Sequence, residues 1–150
     1  MSRIQRNKPA CYCVNLRRAA NAVSGLYNDF LAPVGLSVNQ FSLLKNLGRL
    51  GRASVSDLAA FVGLERTTLV RTLKPLIERA LIADLSEQGQ RSKALELTEQ
   101  GRMAVEHGAP LWQKAQDEVE RRIGSGGAAA LSQLLTALTD SCGEPPSKEE

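Results

Sequence analysis

The stretch Arg66-Thr67-Thr68-Leu69-Val70-Arg71-Thr72-Leu73-Lys74 carries the groups needed to read a nucleic acid. An arginine can pair bidentately with O6 and N7 of guanine, and a threonine can bond a base edge or touch a thymine methyl. Arg66, Thr67, Thr68 and Arg71 are the candidate base readers, while Lys74 and Arg79 suit phosphate contact. A second basic pair, Arg91 and Lys93, lies downstream. Cys11, Cys13 and Cys142 supply thiols. Cys11-x-Cys13 could hold a soft metal, but two residues separated by one on a helix point nearly opposite ways. The only histidine is His107, so the usual four-ligand zinc set is missing. His107, beside Gly108, reads as a surface residue. No Ser/His/Asp set, phosphate-cradling loop or carboxylate pair is present, so neither an enzyme nor a bound cofactor or metal is expected.

The reading groups need a rigid helix that projects from a core. Pro9 suits a helix start, and Val14, Leu16, Ala19, Ala20, Val23, Leu26, Tyr27 and Phe30 then recur at helical spacing until Pro33 and Gly35. Ser37 with Gln40 forms a capping box for a second helix carrying Phe41, Leu43, Leu44 and Leu47, ending near Gly48–Gly51. Ser54 or Ser56 caps a short third helix, which Gly63 breaks. A fourth helix spans about Glu65 to Arg79, with Leu69, Leu73, Leu76 and Ile77 on one face and a kink expected at Pro75. Ala59, with Gly63 four residues later, gives the close crossing and tight turn of a helix-turn-helix. That spacing alone also fits an ordinary helical hairpin. The next segment favours DNA: residues 81–85 and 94–98 read as two strands, and Arg91 and Lys93 sit near the polar tip between them. Arginine on such a finger suits a narrow, negative minor groove. Thr98 caps a helix towards Ile123, with a bend expected at Gly108 and Pro110. A loop at Gly124–Gly127 precedes a last helix from Ala128 to about Ser141.

Composition agrees. With 43% hydrophobic residues but only 4% aromatic, the core must come from Leu, Ala and Val, which favours a mainly helical chain. The net charge of +3 is unevenly spread: +4 over residues 1–44, +4 over 45–93 and −5 over 94–150. A basic first two-thirds suits a polyanionic partner. An odd cysteine count, no apolar leader in MSRIQRNKPACYC and no apolar run of the roughly 18–20 residues that span a bilayer point to a cytoplasmic protein without membrane contact.

Leu36-Ser37-Val38-Asn39-Gln40-Phe41, Ser56-Asp57-Leu58-Ala59, Thr67-Thr68-Leu69-Val70-Arg71 and Leu95-Glu96-Leu97-Thr98-Glu99-Gln100-Gly101 occur in that order and resemble the MarR family of winged helix-turn-helix regulators. The resemblance covers about residues 11–140. It implies a mainly α fold with a small β-hairpin wing, flanked by N- and C-terminal dimerisation helices. The expected organisation is a flexible basic N-terminus over 1–9, a single MarR-like domain over 10–141 and a disordered tail over 142–150. Within the domain, 36–98 would be the DNA-binding lobe, and 10–31 and 99–141 the dimerisation helices. A homodimer on a pseudo-palindromic operator in double-stranded DNA is implied, often a repressor released by a small ligand or an oxidant. The family's wing usually reads Asp-x-Arg, the Asp bracing the Arg; here it is Gly89-Gln90-Arg91, so Arg91 lacks that brace.

Leu131, Leu134, Leu135 and Leu138 share one face of the last helix, and the first helix is apolar over much of its length. A lone winged helix cannot bury both, which points to a dimer. In the hydroperoxide-sensing branch of the family a reactive cysteine early in the first helix pairs with a tyrosine fourteen residues later, across the dimer. Cys13 and Tyr27 have that spacing, while the branch's second tyrosine is replaced by Val38. A helix N-terminus favours the thiolate. Cys11 is a neighbouring thiol, and Cys142, ending the last helix, is a candidate resolving thiol. Trp112 reads as packing at the dimer interface or in a ligand pocket, and an amphiphilic cleft between the lobe and the dimer helices would suit a small aromatic effector. The competing classes are a winged-helix protein-interaction module without DNA binding and a cysteine-based redox protein.

Overall fold

The computed structural model describes residues 11–86 and 94–143. Arg91 and Lys93, the Gly89-Gln90-Arg91 triplet, the basic N-terminus over 1–9 and the tail from 144 onward lie outside the described residues. The elements run in the order α1 (Tyr12–Leu31), a short 3-10 turn (Ala32–Val34), α2 (Val38–Leu50), β1 (Arg52–Ser54), α3 (Val55–Val62), α4 (Arg66–Glu78), β2 (Ile82–Asp84), β3 (Ala94–Leu97) and α5 (Glu99–Gly143). The fold is the expected winged helix with long flanking helices.

The helix starts follow local chemistry. Ser37 Oγ accepts the Gln40 backbone N–H at 3.1 Å, and the Gln40 side chain accepts the Ser37 N–H at 3.0 Å, closing the capping box. Ser54, rather than Ser56, caps α3 by accepting the Asp57 N–H at 3.0 Å. Thr98 caps α5, its hydroxyl accepting the Gly101 N–H at 3.0 Å. Each such cap satisfies a backbone donor that the helix itself leaves unpaired. Gly63, at φ 69°, closes α3 and turns the chain into α4, a left-handed conformation that costs other residues about 1–2 kcal/mol.

The structure departs from the sequence-based expectation in several places. The hairpin is part of a three-stranded antiparallel sheet of order β1-β3-β2, with Arg52 opposite Glu96 and Ile82 opposite Leu97. β1 was not expected; it is only three residues long, with one buried side chain. Gly108 and Pro110 do not interrupt α5: helical backbone runs through both. The helix needs Gly108 for contact: a Cβ there would sit 2.8 Å from the buried Phe41 ring. Pro110 is exposed and falls within the α5 helix. The expected loop over 124–127 shrinks to one residue, Gly124 (φ 77°, ψ 161°), which divides α5 into arms over 99–123 and 125–143. Residues 142 and 143 belong to the second arm, not to a tail.

The core lies between α2, α3, α4 and the sheet. Phe41, Leu44, Leu47, Leu58, Leu69, Leu76, Ile82 and Leu95 are almost fully enclosed, each burial being worth about 1.5–3 kcal/mol relative to exposure. The first arm of α5 closes the core with Val105, Leu111 and Trp112. Lys45 Nζ lies 4.2 Å from the Trp112 ring centroid, a cation–π contact joining α2 to α5. Trp112 therefore packs on its own protomer's core. No described helix is long and apolar enough to cross a membrane.

Candidate nucleic-acid interface

Leu69, Leu73 and Leu76 bury one face of α4. That burial fixes which residues the helix turns outward: Arg66, Thr67, Thr68, Arg71 and Lys74 are all exposed. They do not form one cluster. Thr67, Arg71 and Lys74 line a cleft of about 580 Å³ whose floor includes Val55, Leu73 and Leu95. Thr68 lies on the other flank, in a smaller cleft with Asn39, Ser42 and Thr72. Arg66, the first residue of α4, donates from Nη1 to Ser56 Oγ at 3.3 Å and so bridges to the start of α3. Val70, on the Thr67–Arg71–Lys74 side, is 44% exposed.

The far end of α4 is clamped rather than free. Arg79 Nη1 donates to the Gly35 carbonyl at 2.7 Å, so this guanidinium is committed to the turn after α1 and is not the free phosphate ligand that its charge suggested. Ala80 follows at φ 57°, and its carbonyl accepts the Thr98 hydroxyl at 2.6 Å. These bonds fix how α4 leaves the core. At the base of the sheet Arg52 pairs with Glu96 at 3.4 Å.

The thiols sit elsewhere. Cys11, Cys13 and Cys142 are free and exposed. Arg17 Nη2 donates to Cys13 Sγ at 3.8 Å, setting a positive charge beside the sulfur. Tyr27 is buried within its own protomer; burial, and then the charge of Glu120, push its phenol above the ordinary value. Fourteen helical residues separate Cys13 from Tyr27 by ~21 Å along one α1, so they cannot meet within one chain. Tyr12, Leu16 and Ala19 of α1 face Leu131, Leu134 and Leu138 of the second arm of α5 across an apolar groove of about 470 Å³. That packing brings the helix that carries Cys142 towards the start of α1. Leu134 is 63% exposed, and Leu131, Leu135 and Leu138 are each about 40% exposed. His107 is exposed.

Residues 36–89 match the MarR family. The transcriptional regulator MosR of M. tuberculosis, in a structure with DNA, is 34% identical; the alignment covers 88% of this chain and 96% of that one, with a TM-score of 0.78. BpsR of Bordetella bronchiseptica, described by its regulation of DNA binding by 6-hydroxynicotinic acid, shares the fold at a TM-score of 0.79 and 23% identity, over 87% of this chain and 95% of that one. The HTH-type regulator YwoH of Bacillus subtilis is 25% identical over 91 residues, which is 61% of this chain and 66% of that protein's length.

Proposed function

The chain belongs to the MarR family of transcriptional regulators, and from that premise we propose that it is a homodimeric repressor that binds a pseudo-palindromic operator through α4. One observation carries the reading. Thr67, Arg71 and Lys74 stand together and exposed on a helix whose opposite face is locked into the core. A helix held this way can enter the major groove without losing its own conformational freedom. The exposed leucines of the second α5 arm are what a second copy would cover, giving two recognition helices for two half-sites. The 34% identity to a DNA-bound regulator over most of both chains supports the same assignment.

Release from DNA follows one of two chemistries, a small aromatic ligand or oxidation at Cys13. In the oxidative route the Cys13 thiolate attacks the hydroperoxide O–O bond. Sulfur gains an oxygen and becomes sulfenic acid, and the peroxide, taking up a proton, leaves as an alcohol. A second thiol, Cys142 being the candidate, then condenses with the sulfenic acid, forming a disulfide and releasing water. The electrons lost by the two sulfurs are those gained by the peroxide.

The test is an electrophoretic shift on DNA flanking the gene, repeated over a salt series. Binding should weaken steeply with salt. Arg71→Ala should weaken specific binding by roughly 5- to 150-fold per half-site, from the ~1–3 kcal/mol of a lost bidentate base contact. A wild-type protein that shifts no duplex overturns the proposal. Cys13→Ser should keep DNA binding and lose peroxide-induced release; release that survives the substitution removes the oxidative route and leaves the ligand.

A further inference from the structure

We propose that Val70 is a specificity-determining residue, its side chain packing on the 5-methyl group of one thymine in each half-site. This deepens the repressor reading and rests on it. Val70 is 44% exposed, although its neighbours Leu69 and Leu73 are almost fully buried. Successive helical residues step by about 100°, so Thr67, Val70, Arg71 and Lys74 fall within an arc of about 100°. All four line the cleft beside the sheet. Three of them offer polar or charged groups, and Val70 offers only a branched apolar end.

The major groove presents a single apolar group on any base edge, the thymine methyl. An exposed valine among polar readers matches that group and no other base feature. Valine is a weaker helix former than Ala, Leu, Lys or Arg, and at this position core packing does not require it. Its β-branch restricts χ1 in a helix, so the two methyls are already placed and little side-chain entropy is lost on contact. Arg71 and Lys74, with long flexible stems, have more to lose. Val70 therefore adds discrimination between T·A and C·G at one position, beside the hydrogen bonds made by its neighbours.

The experiment starts by selecting duplexes from a randomised pool with the wild-type protein. Each thymine of the selected site is then replaced singly by deoxyuridine, which removes the methyl and keeps every hydrogen-bonding group. Wild type should lose about fourfold in affinity at one symmetry-related pair of thymines, the loss expected for one methyl no longer buried. Val70→Ala, which alters both half-sites of the dimer, should bind the parent duplex about as weakly as wild type binds the duplex with both thymines of that pair replaced, and should lose nothing further on it. Thermal melting of Val70→Ala checks that the fold is intact, as an exposed position predicts. If no thymine shows this coupling, or if Val70→Ala and wild type lose equally at every deoxyuridine, the inference is wrong while the repressor reading stands. If the pool yields no enriched site, the repressor reading fails and takes the inference with it.

Discussion

Gly101 is the position at which a single methyl group should do most damage. A Cβ there would fall inside the van der Waals envelope of the Leu81 carbonyl oxygen and 3.3 Å from a Leu97 methyl carbon. The carbonyl is backbone and cannot rotate aside. It also accepts the Thr98 N–H at 3.2 Å, and the adjacent Ala80 carbonyl accepts the Thr98 hydroxyl at 2.6 Å. Separating α5 from residues 80 and 81 would strain both bonds, at ~1 kcal/mol each. Overpacking against Leu97 adds ~1–3 kcal/mol. Alanine returns ~1 kcal/mol through its better helix propensity. Gly101→Ala should therefore lose roughly 2–4 kcal/mol, or roughly 5–15 °C in melting temperature for a chain of this size. Urea denaturation followed by circular dichroism measures it directly. A variant as stable as wild type, or more stable, would show that α5 does not pack this closely on residue 81 and would refute the reasoning.

Three other outcomes are expected from the same structure. Ser37→Ala removes one half of the capping box on α2 and should cost ~1 kcal/mol, read from the urea midpoint. Glu118 accepts from Arg121 Nε at 2.8 Å and Arg122 Nε at 2.7 Å; these bonds, Arg121's first, hold its carboxyl down from 4.5 to about 2. A depressed carboxyl pKa stabilises the fold fully above the unfolded value, so Glu118's contribution should persist at neutral pH and disappear as pH falls from 4.5 through about 2. A carboxyl 13C titration that places Glu118 at an ordinary value would contradict this, and Glu118→Gln should flatten that part of the acid-stability curve. Leu134→Glu puts a charge on the most exposed leucine of the second α5 arm; sedimentation should give a dimer for wild type and a monomer for the variant, with the melting temperature of the winged-helix lobe little changed.

The helices were legible because each carries its own local signals. Ser37-x-x-Gln40 closes a capping box whatever surrounds it, and Leu69, Leu73 and Leu76 repeat at the helical period wherever the helix packs. β1 had no such signal. None of Arg52, Ala53 and Ser54 is a β-branched or aromatic residue of the kind enriched in strands, and they become a strand where β3 offers Glu96, Leu95 and Ala94 opposite them. Gly108 and Pro110 misled for a related reason. Both residues are costly inside an isolated helix, yet at Gly108 the Phe41 ring lies too close to leave room for a Cβ, and that tertiary contact outweighs local preference. Gly124 alone breaks α5, and sequence could not separate it from its glycine neighbours at 126 and 127. The distinction is a left-handed backbone at one residue.

The interface shows the same division between residue type and placement. Sequence named every basic group on α4, since charge is a property of the residue, but it passed over Glu78, which lines the same cleft as Arg71 and Lys74. It could not sort the basic groups, since sorting depends on what each one meets. Arg79 and Arg71 look equivalent as cations, but Arg79 is held by the Gly35 carbonyl, forty-four residues away in sequence, while Arg71 lines the open cleft. Arg66 and Thr67 are neighbours, yet one reaches to Ser56 and the other faces the cleft. Val70 was passed over because valine in a helix normally reads as core. Its exposure between two buried leucines sets it on the cleft side of the helix, beside Thr67, Arg71 and Lys74. A recognition surface is thus set twice, first by residue chemistry and then by the core residues that decide which way the helix turns. In this chain Leu69, Leu73 and Leu76 make that decision, and it is their burial that turns Arg71 to the open cleft.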